Sequence, residues 1–155
     1  MFPVNSNDTI LDLYAGMGVI GLWLADKVKE VIAVEENLAS VERGMINCRL
    51  NKMEGKIRFV PSRVEDFLRR AHKYIRQGKI QAVIIDPPRS GISPKIRKSI
   101  LEVASPNLAY ISCNPKTFLE DVKFIFNAGY KLENLELFDF FPQSPHLEIL
   151  SIWRK

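Results

Sequence analysis

Cys113 and Glu148 are the two residues of this sequence best placed to do covalent chemistry. Cys113 stands in the run Ser112-Cys113-Asn114-Pro115, directly after the apolar stretch Leu108-Ala109-Tyr110-Ile111. Most lone cysteines are packing residues. Cys48 fits that description, because it completes an apolar face of helical spacing with Leu38, Val41 and Met45. Cys113 instead leaves an apolar strand and precedes a proline and a helix. A helix N-terminus favours an anionic sulfur, which makes Cys113 a candidate nucleophile. Glu148, in Pro145-His146-Leu147-Glu148, opens an otherwise apolar run (Ile149, Leu150, Ile152, Trp153). A carboxylate there is out of place as mere surface and is a candidate for moving a proton. His146 is either a second base or a turn histidine in water.

Two further clusters point to a ligand. The turn Gly16-Met17-Gly18-Val19-Ile20-Gly21 follows the apolar run Thr9–Tyr14. Its glycines let the backbone approach a ligand and open a helix. Glu35 ends the next apolar run, where a carboxylate can accept the ribose hydroxyls of an adenosine-containing cofactor. This spacing suits a dinucleotide and S-adenosylmethionine equally. Asp86-Pro87-Pro88-Arg89 closes another apolar run; its two prolines stiffen the turn and hold Asp86 toward a cleft. Arg89 is placed to meet a phosphate or to stand in solvent.

Those residues need a scaffold, and the apolar periodicity supplies one. Strands are expected at 9–14, 31–35, 56–60, 81–86, 107–112, 131–139 and 147–153. Helices are expected at 19–28 (Ile20, Leu24 and Val28 inward), 38–50, 63–76 (Val64, Phe67, Leu68, Ala71 and Ile75 inward), 94–103 and 116–128, the last ended by Gly129. Strands alternating with helices imply an α/β, doubly wound, mostly parallel sheet. The last two strands have no helix between them and should pair antiparallel. All four clusters then fall at the carboxyl ends of the parallel strands, where such sheets bind ligands.

The motifs DLYAGMG, DPPRSG, SCNPKT and FPQSPHLE, in that order, resemble those of the RNA (uracil-5-)-methyltransferases acting on tRNA and ribosomal RNA. The resemblance spans almost the whole chain and implies a Rossmann-like methyltransferase fold over residues 1–155. It implies Cys113 as nucleophile, Glu148 as general base, and S-adenosyl-L-methionine held by Tyr14, Gly16, Gly18, Glu35 and Asp86. It further implies an RNA substrate, tRNA or rRNA. Ala15 stands where the family usually has cysteine, Pro3 where a glutamine is often found, and Leu119-Glu120-Asp121 where it has Arg-Asp.

Composition agrees with an ordinary globular domain. The chain has 155 residues, 46% hydrophobic and 26% charged, which suits one core. Its two cysteines make no disulfide scaffold and no metal-ligand spacing. No apolar run nears the ~20 residues of a membrane span, and the start MFPVNSND is unlike a signal peptide; a cytoplasmic protein is expected. A net charge of +4 is compatible with nucleic acid without requiring it. Arg63, Arg69, Arg70, Lys73, Arg76 and Lys79, and then Arg89, Lys95, Arg97 and Lys98, are either a phosphate-binding surface or solvated faces. Three other readings stay open: a base amino-methyltransferase built on Asp-Pro-Pro, an NAD-dependent oxidoreductase built on the glycine turn, and an idle cofactor- or RNA-binding domain. The sequence does not set the oligomeric state.

Overall fold

The computed structural model describes residues 2–71, 80–140, 142–144 and 147–155. Ile75, Lys73, Arg76, Lys79 and His146 lie outside the described residues. Seven strands form one sheet: β1 (Thr9–Leu13), β2 (Glu30–Glu35), β3 (Ile57–Pro61), β4 (Ala82–Ile85), β5 (Asn107–Ser112), β6 (Lys131–Phe138) and β7 (Glu148–Arg154). Their order is β3-β2-β1-β4-β5-β7-β6. β1 to β5 are parallel, and β7 runs antiparallel to both neighbours. Strand order reverses between β1 and β4, the switch point at which such sheets open a crevice.

The described helices are α1 (Val19–Leu24), α2 (Leu38–Leu50), α3 (Val64–Arg70), α4 (Pro94–Glu102) and α5 (Pro115–Asn127). α3, α4 and α5 close one apolar layer over Leu11, Leu13, Val83, Ile85, Leu108 and Tyr110. On the other face Leu24, Val28 and Cys48 pack over Ile10, Ala33 and Ile84. The central strands β1, β2 and β4 are buried on both faces, which is why they read as continuous apolar runs.

Local chemistry sets the helix ends beside the site. Ser93 and Asn114 cap α4 and α5, accepting from the amides of Ile96 (3.4 Å) and Lys116 (3.1 Å), each followed by proline at the first helical position. α5 ends as expected at Gly129 (φ +89°). The Gly129 amide reaches Phe126 O at 2.9 Å and the Tyr130 amide reaches Ile125 O at 3.4 Å.

The structure corrects two expectations. α1 stops at Leu24 rather than residue 28, although Val28 stays in the core. The buried face of α2 is Val41, Gly44 and Cys48, while Leu38 and Met45 are exposed. A Cβ at Gly44 would clash with the Phe59 ring, so a residue lacking a side chain is the contact itself. The last two strands pair antiparallel as expected, with β7 between β5 and β6 and β6 at the outer edge.

Candidate active site

Every candidate strand end faces one edge of the sheet. The glycine turn begins at Tyr14, whose φ of +62° is left-handed, followed by Gly16 (+54°) and Gly18 (+75°). That backbone turns the chain sharply from β1 into α1. The Gly16 amide donates to Glu35 Oε2 at 2.9 Å, and the Asn37 amide donates to Oε1 at 2.8 Å. Glu35 therefore braces the turn, and its remaining lone pairs are left for a ligand. A Cβ at Gly16 would meet nothing within 4 Å, so the space above the turn is open. Tyr14, Glu35, Arg63, Val64 and Ser93 line a cavity of about 350 Å³ beside it. Burial first, and then Asp121, pushes the Tyr14 hydroxyl up to about 12, which keeps it a hydrogen-bond donor.

The second half of the site is built by β5 and β7. Their register pairs Ser112 with Ile149, so Cys113 and Glu148 are the next residues outward on adjacent strands. Cys113, Glu148 and Asp86 line a single cavity of about 650 Å³ with Ile111, Leu150 and Phe138. Burial, then the Glu148 carboxylate, raises the Asp86 pKa.

Asp86 and Cys113 sit on two loops that are latched together. The Asn114 side-chain amide donates to Arg89 O at 3.0 Å, and Thr117 Oγ1 reaches the same oxygen at 3.4 Å. Behind them Asp121, on α5, is buried and accepts from the Ile92 amide at 3.1 Å and from the Tyr110 hydroxyl. Arg97 Nε approaches its Oδ1 at 2.6 Å, off the N–H axis, making an ion pair rather than an aligned hydrogen bond. Gly91 has φ +71°, and a Cβ there would come within 2.7 Å of Asp121 Oδ2.

Sequence reasoning missed Asp12. It lies in β1 at 1% exposure, and neither carboxylate oxygen has an aligned hydrogen-bond partner. Its Oδ2 sits under Gly21, in the first turns of α1. Burial first, then Asp86, pushes its pKa from 3.8 up to about 7; the Gly21 amide pulls it down and Glu35 adds a smaller rise. The available signal was a carboxylate inside a strand that must be buried on both faces.

The basic residues divide. Arg97 belongs to the buried latch and not to an RNA-facing surface. Arg63, Arg69 and Lys95 are paired with Glu36, Asp66 and Glu65 at 3.2, 2.9 and 2.7 Å on the surface. Among the described residues no group of three or more His, Cys, Asp or Glu could hold a metal ion. None of their helices is long and apolar enough to cross a membrane.

Residues 3–154 match the family model of tRNA (Uracil-5-)-methyltransferase. The chain belongs to this family. An uncharacterized RNA methyltransferase of Clostridium tetani is 35% identical over 152 residues, covering 97% of this chain and 32% of that protein. Another, of Thermotoga maritima, is 34% identical over 145 residues, covering 94% and 32%. The chain thus spans about a third of the length of these relatives. Among solved structures it resembles the Pyrococcus abyssi tRNA (uracil-54, C5)-methyltransferase in complex with S-adenosyl-L-homocysteine. That likeness has a TM-score of 0.79 at 27% identity, covering 97% of this chain and 35% of the other. The Rossmann-like methyltransferase architecture expected from the motifs is the one observed.

Proposed function

We propose that this chain is the catalytic domain of an S-adenosylmethionine-dependent RNA methyltransferase that modifies C5 of uracil. The observation that carries the reading is the convergence of Cys113, Glu148 and Asp86 on one cavity at the carboxyl edge of the sheet. The electrostatics favour this cofactor over a dinucleotide. The glycine turn is flanked by Glu35, Asp86 and the buried Asp12, whose oxygens have no aligned hydrogen-bond partner and which a cation beside it would hold charged. A sulfonium with its ammonium group is attracted to that field, whereas a pyrophosphate is repelled. Glu35 and Tyr14 suit the adenosine end, the open backbone at Gly16 and Gly18 lets the cofactor approach, and Asp86 faces the reacting end.

Bound there, S-adenosylmethionine supplies an electrophilic methyl group and leaves as S-adenosylhomocysteine. The protein's task is to make C5 of uracil nucleophilic. The Cys113 thiolate adds to C6, forming an S–C6 bond and moving the C5=C6 electron pair into an enolate. C5 gains the methyl and for a moment carries both methyl and hydrogen. Glu148 removes that hydrogen as a proton. The freed pair restores C5=C6, and the S–C6 bond breaks to return the thiolate. This is nucleophilic catalysis joined to general base catalysis. The target base has to leave its stack to enter the cavity.

The test is an RNA carrying 5-fluorouracil. Fluorine cannot leave C5 as a proton, so the reaction stalls as a covalent protein–RNA complex that survives denaturation. A complex present in the wild type and lost in Cys113→Ala supports the reading. A base amino-methyltransferase would form none and would keep its activity in Cys113→Ala. Cofactor binding without methylation of any RNA would favour an idle binding domain.

A further inference from the structure

Beyond the reacting uracil, the cavity holds an aromatic pair that the chemistry above does not use. Phe138 is the last residue of β6 and sits opposite Glu148 in the β6–β7 register. Phe140 follows two residues later and stacks on it, ring centroids 5.6 Å apart and planes 11° from parallel. Both rings line the cavity that holds Cys113 and Glu148. Phe140 is 65% exposed and belongs to neither apolar core. Beyond its stack on Phe138, the Phe140 ring is open to solvent beside Cys113 and Glu148. The cavity, at about 650 Å³, opens to solvent and is larger than a single pyrimidine ring fills.

We propose that the Phe138–Phe140 pair is a stacking platform for a nucleobase next to the target uracil in the RNA strand. The inference rests on the methylation reading, because a base seated at Cys113 brings its covalently linked neighbours to the same wall. A planar aromatic surface fits the face of a base, which every nucleotide presents whatever its sequence. Phe140 and Phe138 offer no side-chain hydrogen-bond donor or acceptor, so the platform reads the presence and size of a ring and not its edge. A purine is held more tightly there than a pyrimidine, and base identity counts for little otherwise.

The experiment is a mutant cycle between protein and RNA. A short single-stranded RNA with one uridine is compared with versions carrying an abasic site on its 5′ or its 3′ side, and binding is followed by fluorescence anisotropy. On intact RNA, Phe140→Ala is expected to weaken binding about 5- to 100-fold, the range of base–aromatic stacking. On the RNA abasic at the stacked position the same substitution costs nothing, and Phe140→Tyr restores binding to the intact strand. An equal loss on all three RNAs, or none, overturns the platform. So does a parallel loss of S-adenosylhomocysteine affinity, which would mean a distorted site. A change only in sedimentation would overturn it too, by assigning the pair to a protein–protein contact. The 5-fluorouracil complex separates the two claims. If it is absent while the cycle holds, uracil methylation fails and base stacking stands. If it forms without the cycle, only the platform fails.

Discussion

Arg97 on α4 reaches Asp121 on α5 at 2.6 Å, and that carboxylate is buried. The pair joins two helices whose leading loops carry Asp86 and Cys113. Removing one partner leaves the other charge in a low-dielectric interior, which costs about 3–5 kcal/mol. Asp121→Ala is therefore expected to lower the free energy of unfolding by that order, measured in urea. Asp121→Asn keeps an acceptor for the Ile92 amide and should lose less. A loss within 0.5 kcal/mol for Asp121→Ala would show that the latch is not structural.

Glu148→Gln separates the two halves of the proposed reaction. Thiolate addition and methyl gain do not require the base, while loss of the C5 proton does. With ordinary RNA the variant should accumulate a covalent complex that already carries the methyl, and turnover should fall by about 10²- to 10⁴-fold. Mass spectrometry of the trapped complex reads this directly. A variant that turns over normally would remove Glu148 from the mechanism.

Gly16 and Gly18 predict different phenotypes for one substitution. A Cβ at Gly16 meets nothing, whereas at Gly18 it comes within 2.6 Å of the Phe59 ring. Both positions carry the left-handed backbone, which costs an alanine of order 1 kcal/mol or more. Gly16→Ala should fold and lose S-adenosylhomocysteine affinity in calorimetry, because its methyl enters the open space above the turn. Gly18→Ala should lose stability as well, seen as the larger drop in Tm.

Asp12 ties stability to pH. Its pKa rises from 3.8 when exposed to about 7 in the folded protein, chiefly through burial. Between those values the folded state holds a proton that the unfolded state has released, so stability falls as pH rises from about 4 to 7. The full span is worth about 4 kcal/mol. Asp12→Asn should flatten this slope relative to the wild type. A bound cationic ligand favours the charged carboxylate, so it should stabilise the protein more at pH 8 than at pH 5. Equal slopes in the two proteins would show that Asp12 titrates elsewhere.

Much of this was legible in the chain. Glycine, proline and Asn-Pro punctuation marked where each strand gives way to a turn, and strand alternation with helices implied the parallel sheet. That brought Cys113 and Asp86 to one edge, and the missing helix between the last two strands brought Glu148 there as well. What escaped is governed by long-range contact. Leu38 and Met45 fit a helical stripe, yet the packed stripe centres on Gly44, because Phe59 from another strand fills the space a side chain would take. Arg97 looked like part of a basic surface, and its partner lies on the following helix. Asp12 was hidden within an apolar run, and its importance emerges only when the neighbouring carboxylates are in place.

The insertion of β7 between β5 and β6 bears on the order of assembly. A ribosome makes β6 first, yet β6 has no place to bond until β7 arrives and supplies its only strand partner among the described residues. The glycine turn, Glu35, Asp86 and Cys113 all lie upstream and can be organised earlier. Glu148, the proposed proton acceptor, arrives on the strand that completes the sheet. A nascent chain halted before residue 148 would thus lack two strands rather than one, and would carry the proposed nucleophile with no proposed base opposite it.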